Sequence, residues 1–292
     1  MSATVELDVG ELPAALVGGK GHGLAVLAAA GLRVPPGFVV TTETYRRAVG
    51  DAVGRQVQRR LAALPEQVPL DVLDEVAAEV REQVAAATED HPAVAAIADA
   101  YARLAERCGE DEVCVAVRSS SAAEDAADRS FAGEHDTYLW VRGIEEVQQR
   151  VRQCWASLYT SRAIAYRGRA TQDAMAVVVQ QMVDSQKSGV LFTVDPVHGR
   201  RDRMVVEAAR GLGEAVVSGE VTPDNYTLGR DGVVKKSRVV GAERVLSDAD
   251  CAALAGLGRR LADLHGGPQD IEWAFDADGR LFLLQSRPIT TI

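Results

Sequence analysis

Four side chains near the end of the chain have the types and spacing to hold a metal–phosphate group. Asp270 and Glu272 alternate along one apolar-patterned run, and Gln285 and Arg287 alternate along the next. Between them, Asp276-Ala277-Asp278-Gly279 has the Asp/Gly chemistry of a hairpin loop. If the loop is those four residues, Phe275 faces Arg280, Glu272 faces Leu283 and Asp270 faces Gln285. Asp270, Glu272, Gln285 and Arg287 then share one face, with Ile271, Trp273, Phe275, Phe282 and Leu284 on the other. Hard cations take oxygen ligands, and an arginine fork clamps phosphoryl oxygens. The same pattern also describes an amphipathic hairpin with a solvated charged face. A loop one residue longer would move one strand's side chains to the opposite face.

Two earlier stretches suit phosphate. Gly18-Gly19-Lys20-Gly21-His22-Gly23 precedes a helix expected over Leu24–Ala30, where backbone N–H groups and Lys20 could approach an anion. It lacks the GxxxxGK[ST] spacing of a Walker loop, and a flexible turn is the alternative. Arg118 follows a strand expected over Val113–Val117, with hydroxyls at Ser119, Ser120 and Ser121. A loop containing Gly133 then leads to a strand over Thr137–Val141. Arginine supplies charge there and glycine lets backbone amides come close. A polar surface turn is the alternative, and His135 in that loop reads as a surface residue.

The elements that must position these groups change character along the chain. Residues 41–108 are mostly helical, with apolar spacing over Val72–Ala87 and Val94–Leu104. A single amphipathic helix is expected over Ile144–Tyr166, with Val147, Val151, Trp155, Leu158 and Ile164 inward. The second half is strand-rich: Ala176–Val183, Gly189–Val194, Arg203–Ala208, a hairpin over Tyr226–Leu228 and Val233–Lys236, and the final hairpin. A short helix is expected over Glu214–Ser218 and a further helix over Asp248–Leu264. The fold class is therefore α+β, with a helix-rich lobe over 1–175 and a strand-rich lobe over 176–292.

The chain has 292 residues, 47% hydrophobic and 25% charged, the composition of a folded globular protein. A net charge of −10 argues against a nucleic-acid or anionic-membrane surface. Cys108, Cys114, Cys154 and Cys251 lack zinc-site spacing and read as free thiols of a reducing compartment. No apolar run is long enough to span a bilayer, and the first residues lack a secretory signal pattern, so the cytoplasm is expected.

Ten short motifs stand in one order: VGGK (17–20), VPPGF (34–38), VRSS (117–120), SFAG (130–133), DTYL (136–139), CWAS (154–157), SGVLFT (188–193), GLGE (211–214), QDIEW (269–273) and QSRP (285–288). Together they resemble the N-terminal ATP-grasp nucleotide-binding domain of the phosphoenolpyruvate synthase and pyruvate phosphate dikinase family, with the pattern of its rifampicin phosphotransferase branch. The resemblance covers nearly the whole chain and is weakest over residues 41–108. It implies two lobes with ATP in the cleft between them. It implies that Lys20 and Arg118 hold ATP phosphates, and that Gly133 and Thr137 line the phosphate loop. Gln180, Gln181, Met182 and Val183 correspond to the adenine segment, with the backbone of Met182 and Val183 on the base edge, and Glu207 to a ribose contact. Glu272 and Gln285 correspond to Mg²⁺ ligands with Asp270 beside them, and Arg287 to the arginine set against the transferred phosphoryl. The implied chemistry passes the β-phosphoryl of ATP to a histidine on a separate swivelling domain, leaving AMP and phosphate, for onward transfer to pyruvate or an antibiotic-like small molecule.

The sequence departs from that pattern in places. The swivelling-domain motif is absent, and none of His22, His91, His135, His198 or His265 has its context. A cut-out domain, or a subunit needing a histidine-bearing partner, is expected. A stand-alone ATP-grasp kinase or ligase, and a non-catalytic nucleotide-binding subunit, are the alternatives. Glu134-His135 stand where the family has two glutamines, Ala209-Arg210 replace a small polar residue and an aromatic, and the stretch between Lys236 and Val245 is short.

Overall fold

The computed structural model describes residues 2–65, 68–121, 137–167, 174–211 and 221–290. Gly133, His135, most of GLGE and the expected helix Glu214–Ser218 lie outside them. The chain divides into two compact units, one of Met1–Ala30 with Pro36–Met182 and one of Gly31–Pro35 with Val183–Ile292. Among the described residues every strand pairing is antiparallel.

The first unit opens with strand β1 (Thr4–Glu6), helix α1 (Ala14–Ala29) and strand β2 (Gly37–Val40). Helix α2 (Thr42–Tyr45) continues as a π-helix over Arg46–Gly54, then α3 (Arg55–Ala62), α4 (Leu70–Ala87) and α5 (Pro92–Cys108) follow. Strands β3 (Val115–Ser121), β4 (Thr137–Val141) and β5 (Met175–Gln181) complete a sheet of order β1-β2-β5-β3-β4. Between β4 and β5 run α6 (Ile144–Ala156) and α7 (Ser161–Arg167).

That last pair corrects the expectation of one helix over 144–166. The Ser157 hydroxyl donates back to the Cys154 carbonyl at 2.7 Å, and Ser157–Tyr159 tightens to a 3₁₀ turn. The Thr160 hydroxyl then accepts from Ala163 N–H at 3.2 Å and starts a new helix. The inward residues Val147, Val151, Trp155, Leu158 and Ile164 are buried all the same. They join one hydrophobic cluster with Phe38, Val40, Val115, Val117, Val177 and Val179 from one face of the sheet. The opposite face carries α1, and there Arg118 and Ser120 project.

The second unit is a six-stranded sheet of order β11-β10-β6-β7-β8-β9. Its strands are β6 (Ser185–Phe192), β7 (Arg203–Arg210), β8 (Asp224–Gly229), β9 (Val234–Arg238), β10 (Gln269–Asp276) and β11 (Leu281–Pro288). Helix α8 (Asp248–His265) starts at a capping box formed by Ser247 and Asp250. Ile271, Trp273, Leu191, Met204, Val206, Tyr226 and Leu228 form the buried face. Gly258 brings α8 close to it, since a Cβ there would lie 3.1 Å from both Leu191 and Met204. Alternation along each strand sends the intervening residues, among them Asp270, Glu272 and Glu207, to the other face.

Candidate functional site

In the first unit the glycine stretch is helical rather than a loop ahead of a helix. Helix α1 spans it and breaks only at Gly18, whose φ of 71° and ψ of 175° suit glycine. Gly18 also packs against β3, where a Cβ would lie 2.1 Å from the Ser120 carbonyl oxygen. Strand β3 is longer than expected, because β5 pairs with it as far as Ser121↔Met175. The ladder with β5 takes in all three serines, and those bonds override their turn preference. Arg118 is therefore inside the strand and not past its end. It faces Val178 on β5 and Thr137 on β4. Its Nε is buried and has no hydrogen-bond partner among the described residues.

Strand β5 carries the expected base-reading segment. Gln180 is buried, and Gln181 N–H donates to Pro36 at 2.8 Å. Met182 N–H donates to the Cys114 carbonyl at 2.9 Å, so this group is already used within the first unit.

In the second unit the final hairpin brings the four polar residues together in a register other than the expected one. Asp270 faces Arg287, Glu272 faces Gln285, Trp273 faces Leu283 and Phe275 faces Leu281. Two shifts produce this. The loop is longer by one residue, because Asp276 N–H donates to the Arg280 carbonyl while the Asp276 carboxylate accepts from Arg280 N–H and Nε. By itself that would send Gln285 and Arg287 to the wrong face. A β-bulge between Glu272 and Trp273 leaves Leu284 as the extra residue and turns the strand back. Leu283, rather than Phe282 or Leu284, thus joins Trp273 on the buried face. The Arg33 guanidinium covers the Phe282 ring at 5.6 Å.

The register extends the row across the sheet as Gln285, Glu272, Val190, Glu207 and Asn225. Residues directly opposite one another share a face. Asn225 Nδ2 donates to Glu207 Oε1 at 3.5 Å. With its amide turned to suit its neighbours, the Gln285 oxygen accepts from Arg287 Nε and from Nη2, the latter at 2.6 Å. Asp270 carries the strongest perturbation. Burial pushes its carboxyl from 3.8 to about 6, the Glu272 and Glu207 charges add to the rise, and Arg287 opposes it.

Residues 14–243 and 232–292 match the pyruvate phosphate dikinase AMP/ATP-binding domain. The chain belongs to that family. A probable phosphoenolpyruvate synthase of Methanothermobacter thermautotrophicus is 42% identical over 98% of this chain and 45% of its own length. The phosphoenolpyruvate synthase of Pyrococcus furiosus is 38% identical over 98% of this chain and 43% of its own. A rifampicin phosphotransferase of a Streptomyces species is 41% identical over the whole chain and 36% of its own. The chain thus spans less than half the length of these relatives. A solved D-cycloserine synthetase, DcsG, covers 91% of this chain at 15% identity and a TM-score of 0.33.

For a dikinase-family ATP-binding domain, the carboxylate row fits a hard cation. Asp270 Oδ1 is buried with no hydrogen-bond partner among the described residues, an oxygen in want of a positive charge. Among the described residues no three His, Cys, Asp or Glu side chains form a ready-made metal site. Glu207 stands two strands from Glu272, roughly 10 Å at the backbone, too far for all three carboxylates to grip one ion. One or two carboxylates completed by phosphate oxygens is how magnesium is commonly held. Among the described residues no helix is long and apolar enough to cross a membrane.

Sequence reading missed one residue on these faces and placed another in a loop. Asn225, beside Glu207, is visible only once β7 and β8 are in register. Ser120 shares the Arg118 face by strand alternation, a signal hidden by reading the serines as a loop.

Proposed function

We propose that this chain is the ATP- and Mg²⁺-binding component of a phosphotransferase. In this reading it donates the β-phosphoryl of ATP to a histidine on a separate swivelling domain. AMP and, with water, inorganic phosphate are left, and the phosphohistidine then serves pyruvate or an antibiotic-like small molecule, as the names of the relatives suggest. The observation that carries it is the cross-strand set Asp270–Arg287 and Glu272–Gln285, which puts two carboxylates, an amide and a guanidinium on one sheet face.

Both units hold one nucleotide in this reading, as the two lobes of an ATP-grasp fold. Lys20 and Arg118 neutralise phosphate charge, with Thr137 opposite Arg118 and Gly133 on the phosphate loop. Gln180, Gln181, the Met182 carbonyl and Val183 meet the base, and Glu207, steadied by Asn225, takes the ribose. Glu272, Gln285 and Asp270 would hold Mg²⁺, which when bound offsets phosphate charge. Arg287 aligns the transferred phosphoryl.

The test is product analysis. The chain is incubated with ATP and Mg²⁺, alone and with a histidine-bearing partner domain, and AMP is separated from ADP. AMP formed only with the partner is expected. ADP would instead indicate γ-phosphoryl transfer by a kinase or ligase, and no turnover beside tight ATP binding would leave a binding subunit.

A further inference from the structure

The break in α1 is bridged by a side chain from another element. Ser120, fully buried on β3, donates its hydroxyl to the Val17 carbonyl at 2.8 Å and accepts from Gly21 N–H at 3.1 Å. Those two groups flank Gly18, where the helical ladder is interrupted. A helix break leaves carbonyls on one side and N–H groups on the other without partners. One hydroxyl, able to donate and accept, satisfies one of each. The docking is close, since any Cβ at Gly18 would collide with the Ser120 backbone. Lys20 lies in this clamped turn. Arg118 lies two residues before Ser120 on the same strand, hence on the same face.

We propose that Ser120 is a positioning residue that fixes Lys20 relative to Arg118 by locking the α1 glycine turn onto β3. It rests on the reading that Lys20 and Arg118 hold the ATP phosphates. Ser120 itself touches no substrate. Its effect passes through the turn, so it acts on the phosphates of the nucleotide and not on its base.

The full chain, with Mg²⁺ present, is titrated calorimetrically with ATP and with adenosine. The proteins compared are the natural chain, Ser120→Ala, Lys20→Ala and the double variant. Ser120→Ala is expected to weaken ATP about tenfold, the scale of one or two lost hydrogen bonds. Adenosine affinity stays within about twofold by the same scale. In the Lys20→Ala background Ser120→Ala costs little further, because both act through one turn. Amide exchange at Gly21 is expected to quicken in Ser120→Ala. Equal weakening of ATP and adenosine, full additivity of the two substitutions, or unchanged Gly21 exchange would each overturn the proposal. If Lys20→Ala weakens ATP and Ser120→Ala does not, the phosphate reading stands and the proposal alone falls. If Lys20→Ala leaves ATP affinity unchanged, the phosphate reading fails and the proposal falls with it. Should Ser120→Ala not fold, Ser120→Cys keeps the size with a weaker donor. It is expected to show the same phosphate-selective loss in smaller measure, and its absence would count against Ser120.

Discussion

Asp270 is a carboxyl held among like charges inside a sheet face. Its raised pKa has a consequence for stability. A carboxyl easier to protonate in the folded state favours folding when protonated. That contribution is fully present below the ordinary 3.8 and is lost as pH rises through about 6. The shift corresponds to roughly 3 kcal/mol between the two ends. In metal-free buffer, Asp270→Asn is therefore expected to raise the melting temperature at pH 8 and to make little difference near pH 4. Scanning calorimetry across that range checks it, and a difference that does not grow with pH would contradict the burial of this charge. Arg287 is the exposed counterpart across the strand pair. Arg287→Ala is expected to abolish phosphotransfer while leaving ATP affinity within roughly tenfold, about 1.4 kcal/mol. Loss of binding on titration would make Arg287 a ground-state anchor instead.

At the scale of the element, the final hairpin shows how two irregularities combine. The longer turn displaces β11 by one residue, and the bulge at Leu284 displaces it by one more, so the polar face is restored. Deleting Leu284 should remove the bulge alone, because Gln285 then follows Leu283 directly and stays opposite Glu272. Gln285 and Arg287 keep the polar face, and Mg²⁺-dependent ATP affinity is expected to stay within about tenfold, about 1.4 kcal/mol. Far-ultraviolet circular dichroism should change little, because the same residues pair in a regular ladder. Calorimetric titration checks the first expectation, and a larger loss would show that the bulge itself shapes the site. In α1 the glycines act differently from a phosphate loop written into a turn. They allow a helix to break once, at Gly18, and to press against β3.

At the scale of the whole molecule, each unit has its own core and its own fully buried tryptophan. Trp155 lies in the helix-backed cluster of the first unit and Trp273 under α8 in the second. With the exposed Trp140 replaced by Phe, removing one or the other leaves a single reporter. Ile271→Ala truncates a fully buried side chain of the second sheet. It is expected to cost about 2–5 kcal/mol there. The denaturation midpoint reported by Trp273 fluorescence should drop, and that reported by Trp155 should hold. Equal shifts in both would show that the two cores unfold as one.

Much of the molecule is legible in the chain itself. Alternation placed Asp270 with Glu272 and Gln285 with Arg287, and helical spacing marked the inward face from Val147 to Ile164. Those signals are local, set by the geometry of a strand or a helix. The ordered motifs, taken together, carried the family. What tertiary structure decided were matters of partnership. Which residue faces Asp270 depends on a turn and a bulge whose one-residue shifts add to two, and neither changes the pattern of apolar positions. Whether three serines form a loop or a strand depends on β5 lying alongside. That the Ser120 hydroxyl closes a break in α1 depends on two stretches about a hundred residues apart in sequence meeting at one atom, a contact no local periodicity encodes.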